Sequence, residues 1–179
     1  MNMRIEEIEH HPAKIYLDLD GVVVWLDKAI AEYNNVSLAE YDLLGFNNKY
    51  WTNVLNTANL KDFFANAEWE SNGKSMLGWI LSQYIPVTFL SRPVREPGTK
   101  DCIAGKNIWL HRHGVSVIPV IYEFDKEKYA TTKGRPNILI DDHPDNINKW
   151  NAAGGIGILY KNAWFPEVIS KLNKIYGIT

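Results

Sequence analysis

The stretch Lys14-Ile15-Tyr16-Leu17-Asp18-Leu19-Asp20-Gly21-Val22 decides the fold. Its apolar run up to Leu17 reads as a buried strand of an α/β sheet. The two aspartates then fall at the strand's carboxyl end, where open parallel sheets hold their ligands. Side chains alternate along an extended chain, so Asp18 and Asp20 share a face while Leu19 turns to the core. Two carboxylates on one side form a hard-oxygen site suited to Mg²⁺. Without a cation, their mutual repulsion would raise one pKa. Gly21 permits a backbone conformation that lets the chain turn away from the strand tip. The same letters also fit an ordinary Asp-Gly turn, so the remaining sequence has to decide.

Outward from this strand the texture falls into two parts. Residues 28–84 show no convincing strand but have helix-like stretches at 26–33, 37–44, 50–56 and 74–84. From Ile85 onward strands and helices alternate. Strands are expected at 86–91, 115–122, 137–140 and 156–160, and helices at 100–113, 125–132, 145–153 and 166–176. Such alternation implies right-handed crossovers and a parallel sheet covered on both faces. The expected fold is therefore α/β, a three-layer Rossmann-like parallel sheet with a small helical cap inserted after the first strand. One domain spans 1–179, with a core at about 12–26 and 85–179 and the cap at about 27–84.

Composition narrows the function classes. At 179 residues, 46% hydrophobic and 22% charged, the chain is long enough for a sizeable core and has the balance of a soluble globular protein. A net charge of -2 with dispersed basic residues gives no polybasic surface for duplex nucleic acid. The single cysteine, Cys102, has no disulfide partner and no metal-ligand pattern around it, and reads as buried filler. Met1 to Pro12 contain no apolar leader, and no apolar run approaches membrane-spanning length, so a cytoplasmic protein without a membrane partner is expected. His10-His11 read as solvent-exposed bystanders on a polar terminus.

Three further segments bear on chemistry. Ser91-Arg92-Pro93 follows the apolar run 87–90 and brings a hydroxyl and backbone N–H groups to a second strand tip, suitable donors for a phosphate. In Asn137-Ile138-Leu139-Ile140-Asp141-Asp142 an apolar strand delivers two adjacent acids, an arrangement suited to ligating a metal and supporting its ligands. Between them lies a lysine-rich segment with Lys126, Lys128 and Lys133, among which spacing alone does not choose.

Two carboxylates, a hydroxyl, a lysine and a second acid pair, in this order at successive strand ends, closely resemble the four motifs of the haloacid dehalogenase-like (HAD) phosphohydrolase superfamily. The resemblance runs from Lys14 to Tyr160. Within that superfamily the chain looks most like the 5′(3′)-deoxyribonucleotidases. The residues behind this are Phe63-Phe64, the compact helical insert, Ile140-Asp141-Asp142-His143-Pro144-Asp145-Asn146-Ile147, and Trp150 with Gly154-Gly155-Ile156-Gly157-Ile158. Close members have Thr-Ser-Pro where this chain has Ser91-Arg92-Pro93, and an acidic then aromatic pair near Trp25-Leu26.

The resemblance implies a Mg²⁺-dependent phosphomonoesterase working through an aspartyl-phosphate. Asp18 would be the nucleophile and Asp20 the general acid/base. Mg²⁺ would be held by the Asp18 carboxylate, the Asp20 main-chain carbonyl and the Asp142 carboxylate, with Asp141 behind Asp142 or exchanging roles with it. Ser91, the Arg92 backbone and a lysine, Lys126 or Lys128 in preference to Lys133, would bind phosphate. Trp25, Phe63, Phe64 and Trp69, with Phe46 and Trp51, offer faces on which a nucleobase gains about 1–3 kcal/mol by stacking. The expected partner is a small phosphorylated substrate, a nucleotide by resemblance, with a homodimer left open. The alternatives are a phosphatase of another small phosphate ester or of nucleic-acid 3′ ends, and a non-catalytic binding module of the same fold.

Overall fold

The computed structural model describes residues 12, 14–44, 49–161 and 165–178. His10, His11 and Phe46 lie outside the described residues. Strand β1 (Ile15–Leu17) is followed by α1 (Leu26–Tyr33), α2 (Leu38–Leu44), α3 (Lys49–Thr57), α4 (Leu60–Asn66) and α5 (Ser71–Ser82). Then come β2 (Val87–Ser91), α6 (Thr99–Arg112), β3 (Val120–Tyr122), a 3₁₀ turn (Lys126–Tyr129) and a small hairpin of β4 (Thr131–Thr132) and β5 (Arg135–Pro136). The chain finishes with β6 (Ile138–Asp141), α7 (Pro144–Ala152), β7 (Ile156–Leu159) and α8 (Phe165–Tyr176). Among the described residues no helix is long and apolar enough to cross a membrane.

The main sheet is parallel throughout, in the order β3-β2-β1-β6-β7, as the alternating pattern predicts. Alternation along the strands sorts their side chains into two layers. Ile15, Leu17, Phe89, Ile138 and Ile140 pack with Met76, Leu77 and Ile80 of α5, Trp109 and Leu110 of α6, and Val168 and Leu172 of α8. Tyr16, Leu90 and Leu139 face the other way, onto Ile147 and Trp150 of α7. A separate cluster unites Leu26, Ile30, Tyr41, Tyr50, Val54, Leu60 and Phe64 of α1–α4 with Cys102 of α6. Helix α5 thus packs with the sheet, whereas the sequence reading placed it in the cap.

Local chemistry accounts for the points at which sequence and structure part. Helix α4 falls outside the helix-like stretches read from the sequence; its start is fixed by Asn59, whose side chain accepts from Asp62 N at 3.2 Å. Strand β3 begins only at Val120, because Val115 to Ile118 form a turn and Pro119 has no N–H for a ladder. The helix expected at 125–132 is a single 3₁₀ turn, after which Thr131 and Thr132 pair in the hairpin. Lys133 (φ 51°) and Gly134 (φ 77°) form the tip, a left-handed pair suited to a two-residue turn.

Strand register positions the site. Leu17 pairs with Phe89 on one side and with Ile140 on the other, so β1 ends one residue short of β6 and two short of β2 at the same edge of the sheet. Asp18 N donates to Ile140 O at 3.0 Å, bringing Asp18 beside Asp141. Beyond β1 a tight turn returns the chain, with Val23 N and Val24 N both donating to Leu19 O at 2.8 Å. Gly21 makes this turn at φ 72°, and a Cβ there would lie 2.1 Å from Asp142 Oδ2. Glycine is therefore required both by backbone conformation and by the approach of Asp142.

Candidate active site

The ends of β1, β2 and β6 open into a cleft of about 1450 Å³ between the sheet and helices α1–α4. Asp18, Asp20, Gly21, Arg92, Asp142 and Asn146 lie on its sheet side, and Tyr41, Trp51, Leu60 and Phe64 on its helical side. Its rim has both charge signs, Lys61 and Arg95 against Asp27, Asp42 and Asp101.

Asp18 is 7% exposed and held at both oxygens. Oδ1 accepts from Leu19 N at 2.8 Å, and Oδ2 lies 2.7 Å from Lys126 Nζ. Burial pushes the Asp18 carboxyl up to about 7; Lys126 opposes the shift, and the neighbouring Asp141 and Asp20 charges reinforce it. Lys126 is itself buried and places Nζ 2.6 Å from Asp141 Oδ2. Burial alone would lower the Lys126 pKa, but Asp18 and Asp141 outweigh it and keep the group cationic.

Asp141, fully buried, has little capacity left for a further ligand. Its Oδ1 accepts from His143 N at 2.8 Å and Asn146 Nδ2 at 3.0 Å, and its Oδ2 accepts from Lys126 and again from Asn146 Nδ2 at 3.0 Å. Asp142 is on the open side. Desolvation within the cleft, followed by the charges of Asp18 and Asp141, pushes it up to about 8. Asp18, Asp141 and Asp142 each offer a carboxylate oxygen, all within 4.8 Å of one another.

A divalent cation fits these residues. Among the described residues the carboxylates of Asp18, Asp20 and Asp141 pair with two buried ammonium groups, Lys106 and Lys126, while Asp142 has no ion pair and the Arg92 guanidinium lines the same cleft. With all four ionised, the carboxylates outnumber Lys106, Lys126 and Arg92 by one, and the donors are hard oxygens of the kind Mg²⁺ takes. Asp20 Oδ1 and His143 Nδ1 are also buried without a hydrogen-bond partner, and both residues line the cleft.

The other residues expected from sequence divide sharply. Ser91 is fully buried and its hydroxyl accepts from Lys106 at 2.8 Å, which puts it behind the cleft wall and away from a direct phosphate contact. The Arg92 guanidinium lines the cleft, held by Phe124 O at 2.9 Å and Asn146 Oδ1 at 2.8 Å. Lys128 is exposed, paired with Glu123 and Asp125, and absent from the cleft lining; its position after the 3₁₀ turn's first residue points it outward. Of the four aromatics assigned to a substrate pocket, only Phe64 lines the cleft. Trp69 packs at 4.6 Å on Trp109 and donates to His113 Nδ1, Phe63 packs among Tyr33, Trp51 and Phe64, and Trp25 precedes α1 with Lys28 beside its ring. Trp51, Tyr41 and Phe124 line the cleft as well.

Sequence reasoning missed Lys106 and Asn146 as parts of this site. Lys106 sits in a polar-looking helix with no motif around it, and only the fold shows its ammonium 2.6 Å from Asp20 Oδ2. Asn146 lies one helical turn beyond the acid pair, a spacing that places it over Asp141 once α7 begins at Pro144.

No protein-family model matches the chain, and no curated protein does. Solved structures do. A hydrolase from Streptococcus pneumoniae TIGR4 matches with TM-score 0.52 at 15% identity, over 94% of this chain and 100% of its own. A HAD family hydrolase from Deinococcus radiodurans R1, solved with bound phosphate and sodium, matches with TM-score 0.52 at 12% identity, over 93% and 97%. A HAD-superfamily hydrolase from Ehrlichia chaffeensis matches with TM-score 0.51 at 11% identity, over 92% and 98%. The chain has the HAD-type fold. The likeness runs over more than nine-tenths of each chain, and at this level of identity it speaks to fold alone.

Proposed function

We propose that this protein is a Mg²⁺-dependent phosphomonoesterase that acts on small phosphate esters, nucleoside monophosphates foremost, through an aspartyl-phosphate. The observation that carries the reading is the convergence at the cleft floor of Asp18 and Asp20 with Asp141 and Asp142, the oxygens of Asp18, Asp141 and Asp142 lying within 4.8 Å of one another. The bound phosphate in the Deinococcus radiodurans hydrolase of the same fold supports it.

Asp18, fixed at both oxygens by Leu19 N and Lys126, is aimed for attack on phosphorus. Its oxygen forms the new P–O bond as the ester P–O bond breaks and the electron pair leaves with the ester oxygen. Asp20 gives that oxygen a proton, then as a carboxylate takes one from the water that displaces Asp18 and yields inorganic phosphate. Lys126 offsets charge on the nucleophile, and Arg92 presents a fixed cation to phosphate oxygens along the wall. Asp18, Asp142 and the Asp20 main-chain carbonyl would hold the metal, with Asp141 fixing Lys126 behind them. The bound cation supplies charge neutralisation for an anionic nucleophile meeting an anionic ester. Trp51, Phe64 and Phe124 offer the apolar faces for a base.

The test is phosphate release from a panel of nucleotides, sugar phosphates and a 3′-phosphorylated oligonucleotide, with Mg²⁺ or with EDTA. Metal-dependent turnover that disappears in Asp18→Asn supports the reading. Turnover in EDTA, or full activity of Asp18→Asn, overturns it.

A further inference from the structure

Lys106 projects from α6 into the seam between the sheet and the helical cap, and is 3% exposed. Its Nζ donates to Asp20 Oδ2 at 2.6 Å, Ser91 Oγ at 2.8 Å and Arg92 O at 3.0 Å. An ammonium has three N–H donors, so none remains for a substrate. Lys106 is also absent from the cleft lining, whereas Asp20 is part of it. The ring of Phe64, centred 5.1 Å from Nζ, covers the ammonium from the cap side.

The geometry points to Lys106 as the positioning residue for Asp20. It clamps Oδ2 and ties it to the carboxyl end of β2, leaving Oδ1 as the only oxygen of Asp20 free to exchange a proton with the ester oxygen and then with water. Asp20 Oδ1 is indeed buried with no hydrogen-bond partner. A pair serving stability alone would be expected to satisfy both carboxylate oxygens, since a buried polar atom left without a partner is costly. Buried ion pairs are also weak stabilisers compared with apolar residues of similar volume, so orientation is the better account of this one. The inference rests on the phosphatase reading, because it assigns Lys106 a part in the two proton transfers through Asp20.

The experiment compares kcat and KM for two esters with Mg²⁺, in the full chain and in Lys106→Met. One ester is p-nitrophenyl phosphate, whose leaving group needs little protonation. The other is the best alkyl phosphate from the panel. A displaced general acid should lower kcat on the alkyl ester by about a hundredfold, the lower end of what general acid–base catalysis supplies, with KM little changed. The aryl ester should lose at least about tenfold less. In an Asp20→Asn background the same substitution should cost nothing further, since residues acting as one unit are not additive. Lys106→Gln, which keeps N–H donors without the charge, is carried alongside should the Met variant not fold, and should show the same split in smaller measure. Equal losses on the two esters, unchanged kinetics, or an additive loss in Asp20→Asn overturns the positioning role while leaving the phosphatase reading standing. A full-length wild-type chain that hydrolyses neither ester overturns both.

Discussion

Lys126 Nζ stands 2.7 Å from Asp18 Oδ2 in a place where both groups are buried, with Asp141 completing the contact at 2.6 Å. Removing the cation would leave two carboxylates buried and uncompensated. Lys126→Met is therefore expected to lower stability by about 3–5 kcal/mol, the range for breaking a buried pair by taking one partner. Urea denaturation would show it as a lower midpoint at unchanged slope. Mg²⁺ should restore part of the loss, because it supplies positive charge to the same carboxylates.

Asp141 and Asp142 are adjacent yet should behave differently. Every oxygen of Asp141 is engaged by Lys126, Asn146 or His143 N, while Asp142 is on the cleft side. Asp142→Asn should weaken Mg²⁺ binding by at least about tenfold with little change in the metal-free melting temperature, whereas Asp141→Asn should lower that temperature. Calorimetric titration with Mg²⁺ and thermal melts in EDTA separate the two. Equal effects in both assays would contradict the assignment.

The pH dependence has a definite sign. Asp18 and Asp142 have pKa values near 7 and 8 in the folded chain, raised above the ordinary aspartate value chiefly by desolvation. The folded state then binds more protons than the unfolded state over that interval, so stability falls as pH rises. Their contribution is full below about pH 4 and is lost as the pH passes through 7 and 8. Melts in EDTA should fall across that window. Mg²⁺, which takes the deprotonated groups, should bind more tightly as pH rises, so the melting shift it produces should grow from pH 6 to pH 8.

Gly21→Ala tests the turn that brings Asp142 close. A Cβ there would meet Asp142 Oδ2 at 2.1 Å on a backbone with φ 72°. Strain at such a position costs about 1–3 kcal/mol. The substitution should lower both the melting temperature and Mg²⁺ affinity, measured by the same melts and titrations; loss of stability with wild-type metal binding would show that Asp142 does not need this approach.

The aromatic residues divide by position. Trp51 lines the cleft, whereas Trp69 is packed on Trp109 and His113. Trp51→Ala should raise KM for nucleotides relative to sugar phosphates by about tenfold, as expected for one stacking contact of about 1–3 kcal/mol. Trp69→Ala should leave that ratio unchanged and lower stability. Steady-state kinetics on paired substrates decides.

The strand ends were legible because they are written locally. Apolar runs closing on Asp18, Ser91 and Asp141 announce a parallel sheet, and the strand register then gathers their tips at one edge. What lay beyond reading was contact between distant elements. Nothing around Lys106 signals that α6 will lay it against Asp20, and Phe63 and Trp69 have the same aromatic character as Phe64 and Trp51. Ser91 was correctly placed at a strand tip, but its burial follows from α6 closing over it. Helix α4 was not legible, and the helix expected at 125–132 shrank to one 3₁₀ turn because Thr131 and Thr132 pair in a hairpin instead.

Gly105 of α6 lies so near α4 that a Cβ would come within 2.4 Å of Lys61 O and 2.9 Å of Phe64 Cβ. No side chain separates the two helices there, so they must shift together. Phe64 faces the cleft from one helix and Lys106 grips Asp20 from the other. Whatever presses on that wall thereby bears on the Lys106–Asp20 contact as well, like two ends of one lever.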